Sequence, residues 1–163
     1  MSQHVSSLTA PKKNLQSTLI LFASIVIGIF LFIMIAVFIN QTKGPLAPVL
    51  NKYQPALSWA MGAFSFICLF AARRVFRKGI AAAKNSLNPL KDKLNQHRSA
   101  LVRYLVICEM PSLLSIILFM LTGNFVFQVY AGVFLGFMLA MAPLRRRVVA
   151  ELELDGQQQN ELE

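Results

Sequence analysis

Ser17 to Asn40 runs for 24 residues without a charge. Wound as a helix at about 1.5 Å per residue it reaches about 36 Å, more than the roughly 30 Å of a bilayer's hydrocarbon core. No water-soluble fold readily hides such a rod. A secretory signal is the competing reading, because Lys12 and Lys13 precede the run. Its apolar region should be about 7 to 15 residues long, and the exit VFINQTKG lacks a small-residue cleavage site. A retained first membrane helix fits better.

Three further apolar runs follow, Ala56 to Ala72, Leu101 to Leu121 and Phe125 to Ala142. Between and around them lie a polar segment 1–16, a Gly- and Pro-containing connector 41–55, a basic connector 73–100 and a terminal segment 143–163. Charged residues make up 14% of the chain and hydrophobic ones 56%, against about 25% charged in soluble domains. The expected fold is therefore all-α, an integral membrane four-helix bundle whose transmembrane domain covers residues 17–142. Tyr53 and Trp59 bracket the entry to the second span, where amphipathic rings favour the interface. Pro55 suits its first turn, the alanine-rich GIAAAKNSL segment can carry that helix onward, and Asn88-Pro89 should end it. Pro111 should kink the third helix. Thr122-Gly123-Asn124 joins the last two spans as a tight helical hairpin.

The net charge is +9, from 16 basic and 7 acidic residues. Nine Lys or Arg stand between Arg73 and Arg103, two in the N-terminal segment and three, Arg145, Arg146 and Arg147, after the last span. By the positive-inside rule the chain is N-in and C-in, with 41–55 and 122–124 facing outward. Arg73, Arg74, Arg77, Lys78 and Arg145 to Arg147 are the expected contacts to anionic lipid headgroups. No nucleic-acid recognition motif accompanies the charge. Leu144, Val148 and Leu152 repeat every four residues, which predicts a short amphipathic helix on the membrane surface, capped at Gly156 and followed by a disordered QQQNELE tail.

Glu109 is the one acid inside a spanning run. Burying a charge at the bilayer centre costs about 2.5 to 3.5 kcal/mol on insertion scales, so an intramembrane carboxyl is a functional candidate by default. Counting depth along the helices puts Ser17, Thr18 and Cys68 near its level, with Pro111 two residues on; these are its candidate neighbours for a proton or cation site. The plainer reading is a snorkelling carboxylate paired with Arg103 or with an arginine at 145–147. Gly132, Gly136 and Ala140 form a stripe of small residues on the fourth span, which fits close helix packing or homodimerisation. The two glycines also stand at a level where they could leave room for the Glu109 carboxyl.

His4 and His97 lack partners at metal-ligand spacing and read as solvated; Cys68 and Cys108 form no CxxC pair. No nucleophile elbow, phosphate loop or HExxH motif is present. No cofactor, metal or catalytic residue is expected, and the chain reads as a non-enzyme.

The stretch KLNQHRSALVRYLVICEMPSLLSIILFMLTGN, with the following apolar run and PLRRRVVAELELD, resembles the second half of a family of small, uncharacterised bacterial inner-membrane proteins. That resemblance implies a multi-pass, four-helix protein of the bacterial inner membrane and assigns no activity. ARRVFRKGIAAAK leading to HRSALVRYLVICE has the outline of the rotor-ring proteolipids, a helix hairpin with a basic cytoplasmic loop and one carboxylate at lipid depth. The preceding MGAFSFICLF departs from them in lacking their dense glycine repeat. Small four-helix multidrug exporters also carry one buried glutamate, in their first helix; here the first helix has none.

Overall fold

The protein is all-helical in the computed structural model, which describes residues 3–84 and 90–152; side chains at 3–15, 90, 91, 145, 146 and 152 lie outside that description. The expected helix stop at Asn88-Pro89, the Gly156 cap and the terminal tail fall outside it too. Among the described residues five α-helices follow one another: α1 (Gln3–Lys43), α2 (Gln54–Lys84), α3 (Leu90–Thr122), α4 (Phe125–Ala140) and α5 (Arg145–Leu152). A 3-10 turn (Pro48–Tyr53) precedes α2, and no strand occurs among the described residues. Among the described residues three stretches are long and apolar enough to cross a membrane, Gln16–Lys43, Pro48–Lys84 and Asp92–Thr122. At 16 residues α4 is shorter than expected, about 24 Å by helix rise, because the chain leaves the helix at Met141 ahead of Pro143.

The helices are also longer than their apolar runs. α1 begins at Gln3 where a polar tail was expected. Once a helix is nucleated each added residue gains one hydrogen bond; α1 nevertheless runs through Pro11, which removes one such bond. The basic connector is likewise helical over most of its length, α2 running on through the alanines to Lys84 and α3 starting at Leu90.

Two compact units share these helices. The first combines residues 1–24, 73–104 and 141–163; the second combines 25–72 and 105–140.

In the second unit the ends of the α3–α4 hairpin are closed by hydrogen bonds. The last carbonyls of a helix have no partner within it, and an unsatisfied one in or near lipid costs several kcal/mol. Here Phe119 O accepts from Gly123 N–H at 2.7 Å and from the Asn40 side-chain amide at 2.8 Å. Met120 O and Leu121 O accept from the backbone of Leu46 at 3.1 Å and Ala47 at 2.8 Å. Gly123 adopts φ +70°, and a Cβ there would stand 3.2 Å from Asn40 Oδ1 and 3.3 Å from Pro45 Cβ, so glycine fits both the turn and the space. Asn124 then caps α4, its Oδ1 accepting from Val126 N–H at 2.9 Å. The expected tight turn is present, and the 41–55 connector supplies part of its cap. α3 stays one helix through Pro111, whose carbonyl accepts from Ser115 Oγ at 2.7 Å.

Within this unit α3 buries its more polar face. Cys108, Ser112 and Ser115 are fully buried, whereas Val106, Met110, Leu114 and Ile117 are exposed. α4 buries Phe127, Ala131, Phe134 and Met138. An exposed face more apolar than the buried one is the pattern a lipid-facing helix allows, since lipid gives no reason to hide leucine.

In the first unit α3 presents Leu94, His97, Leu101 and Tyr104, spaced three and four residues apart and all buried, the spacing of one helix face. Phe76 of α2 packs edge-on against both His97 and Tyr104, with ring centroids 6.3 Å and 5.8 Å apart, an arrangement that aromatic quadrupoles favour. α2 and α3 approach closely at Gly79, where a Cβ would lie 2.5 Å from Ala100 Cβ.

Candidate functional site

Glu109 is half-buried on α3. Among the described residues it has no hydrogen bond or ion pair. Of its expected neighbours in the same unit, Pro111 is buried and Cys68 is a half-buried free thiol; neither is bonded to it. Ser17, half-buried, and Thr18, buried, belong to the other unit. Gly132 and Gly136 are both exposed, and apart from their chain neighbours and their own helix's backbone no atom, the Glu109 carboxyl included, lies within 4 Å of where a Cβ would stand. Ala140 is exposed on the same side of α4. The small-residue stripe therefore faces outward, opposite Phe134 and Met138.

Arg73, Arg74, Arg77 and Lys78 are exposed on α2, as headgroup contacts need to be. Arg145 and Arg146 open α5, with their side chains outside the described residues. Arg147 is engaged otherwise. Its Nε donates to Glu151 Oε1 at 2.7 Å, one helical turn on, and Nε2 of His97 lies 2.9 Å from the other carboxylate oxygen. With both carboxylate oxygens accepting, the His97 nitrogen facing Glu151 is the protonated one. Burial pushes the Glu151 carboxyl up, and the hydrogen bonds and charges of His97 and Arg147 outweigh that and hold it below its ordinary value.

This cluster corrects two expectations. His97 is not solvated but 4% exposed, and the short C-terminal helix does not rest on the membrane surface by its whole apolar face. α5 does form, yet Val148, on its apolar face, is fully buried in the protein, so at that position α5 packs on protein and not on lipid. One part was readable in advance, since Arg147 and Glu151 stand at the i, i+4 spacing of a helical ion pair. The other clue was that His97 occupies a slot in the Leu94, Leu101, Tyr104 stripe.

No group of three or more His, Cys, Asp or Glu placed to hold a metal occurs among the described residues. Compared with protein families, with curated proteins and with solved structures, the chain matches none. The resemblances noted above therefore rest on their motifs alone.

Proposed function

We propose that the protein is a non-enzymatic, multi-pass component of the bacterial inner membrane, with both termini cytoplasmic, that works by helix packing with a membrane partner, a second copy of itself being the simplest. The membrane placement is supported by the three long apolar helices and by the concentration of Lys and Arg on one side of them. A fourth crossing by α4 returns Arg145 to Arg147 to that side, and modest local thinning of the bilayer accommodates its length.

One observation carries the interaction reading. α4 has one face buried in its own unit and an opposite face where Gly132 and Gly136 stand open among exposed Val129, Val133 and Leu139. Small residues at that spacing let a second backbone approach closely, the main source of helix association in lipid. The test is the oligomeric state in lipid nanodiscs. Wild type should self-associate, and the double substitution Gly132→Leu, Gly136→Leu should shift it to monomer with its thermal midpoint kept. A wild type that stays monomeric across a hundredfold concentration range would overturn self-association.

A second reading is favoured by Glu109, which has no ion pair among the described residues. A half-buried acid without a partner is suited to take up and release a proton or cation along the membrane. In proteoliposomes a proton-coupled role predicts flux that Glu109→Gln abolishes while expression is unchanged. Background flux in both proteins would remove this reading and leave the first standing.

A further inference from the structure

We propose that a cleft between α2 and α3 in the first unit binds a glycerophosphate ester with a hydroxylated headgroup, its source being an anionic phospholipid of the phosphatidylglycerol type. Arg103 receives the phosphate and Gln96 the headgroup hydroxyl. The cleft has a volume of about 390 Å³, within the range of small-molecule sites. Val75, Gly79 and Ala82 form its α2 wall, and Asn95, Gln96, Ser99 and Arg103 line the α3 side. The opening follows from the sequence. Gly79 against Ala100 brings the two backbones together, and the short side chains at 79 and 82 leave the space beside the crossing unfilled.

The lining specifies the ligand's chemistry. Gln96 Oε1 is buried and has no hydrogen-bond partner among the described residues. An orphan acceptor of this kind keeps the cost of its desolvation, and a turn of the amide toward a ligand that brings a donor relieves it. Arg103 is exposed at the start of the apolar run and has no ion pair among the described residues. Its planar fork matches a phosphate's oxygens. The two residues are seven positions apart on one face of α3, about 10 Å by helix rise. A bare phosphate is too small to serve both, whereas a phosphate with a glycerol attached has the length and the hydroxyls.

The surrounding charge decides between a hydroxyl and an ammonium as the donor. Lys78 flanks the cleft on α2, and Arg74, Arg77, Lys84, Lys93 and Arg98 stand on the same two helices. Against them is Asp92, one turn beyond Gln96 and three from Arg103, about 16 Å away. That exceeds the roughly 8 Å screening length at physiological salt, so Asp92 does not offset the charge at Arg103, and Lys93 beside it offsets its own. The field favours a net anionic headgroup. Basic pockets between membrane helices at the cytoplasmic side are where anionic headgroups bind in general.

The lipid source rests on the membrane placement above, and the experiment separates the two. Detergent-solubilised full-length protein is titrated with short-chain phosphatidylglycerol, phosphatidic acid, phosphatidylethanolamine and phosphatidylcholine, and separately with free glycerol 3-phosphate, and bound lipid is counted by native mass spectrometry. Phosphatidylglycerol should bind roughly tenfold or more tightly than phosphatidylcholine, the scale of one charge-assisted hydrogen bond. Arg103→Gln should weaken phosphatidylglycerol and phosphatidic acid alike by about tenfold, and Arg74→Gln, outside the cleft, should keep both at the wild-type level. Gln96→Leu should lower phosphatidylglycerol to the level of phosphatidic acid without weakening phosphatidic acid. Ser99→Leu, on the exposed side of α3, should block the cleft if Arg103→Gln does not fold. Competition by glycerol 3-phosphate at equal concentration would assign the site to a soluble ester, and its failure to compete assigns it to lipid. Equal losses in Arg103→Gln and Arg74→Gln, or phosphatidylethanolamine binding as tightly as phosphatidylglycerol, would overturn the site. A protein that stays monodisperse without detergent would instead overturn the membrane placement.

Discussion

Gly79→Val is expected to lower the stability of the α2–α3 pairing by about 3 kcal/mol, the upper end for overpacking. A Cβ at position 79 would lie 2.5 Å from Ala100 Cβ and 3.4 Å from Ala100 Cα. Neither contact can be relieved by a rotamer change, because alanine has none to make. The helices must move apart or the side chain must strain. Gly79→Ala tests the balance more finely. Alanine gains about 1 kcal/mol over glycine in a helix interior, so a net loss there measures the clash against a known gain. Gly132→Ala meets nothing within 4 Å and should be neutral or stabilising. Adding Ala100→Gly to Gly79→Ala should recover most of the loss, since the interaction is between those two positions. Thermal and urea unfolding of the detergent-solubilised protein would read all four. Wild-type stability in Gly79→Val would show that α2 and α3 do not meet at this crossing.

That crossing marks a limit of sequence reading. Gly79 lies among Arg73, Arg74, Arg77 and Lys78, and a basic segment of that kind reads as a solvated connector. The alanines after it did reveal that α2 continues, because helix propensity is a local property. The close approach to Ala100 is a property of two helices and has no local signature. The apolar runs were legible for the opposite reason: lipid imposes a length and a composition on each span by itself. Thr122-Gly123-Asn124 was legible as a turn, while the donors that complete it, Asn40, Leu46 and Ala47, come from about 75 to 80 residues earlier. Glu109 stood out because charge is rare at membrane depth. Depth counting along separate helices then offered Cys68, which makes no hydrogen bond to it among the described residues, because equal depth says nothing about which face of a helix points inward.

Glu151→Ala is expected to release α5. The substitution leaves His97, with a side chain 5% exposed, without the Glu151 carboxylate, and takes one partner from Arg147, which is 35% exposed and keeps Met141 Sδ at 2.8 Å. A hydrogen bond to a charged group contributes about 1.5 to 3 kcal/mol. The bond from Arg147 is discounted for its exposure to solvent. A loss of about 2 kcal/mol would raise the population of the opened helix roughly thirtyfold, visible as faster hydrogen exchange across α5 and faster tryptic cleavage after Arg145 to Arg147. Acid should do the same to the wild type. The Glu151 carboxyl is held below its ordinary value, so its contribution is fully present above the unfolded value of about 4.3 and is lost as pH falls through the lower folded value. Protection of α5 attributable to Glu151 should thus stay level from pH 7 to about 5 and decline below about 4. Glu151→Gln should remove that acid step while keeping part of the protection, because its amide oxygen can still accept one bond. Protection in Glu151→Ala equal to wild type at pH 7 would mean that Val148 alone holds α5, and that the buried histidine contributes nothing to the docking.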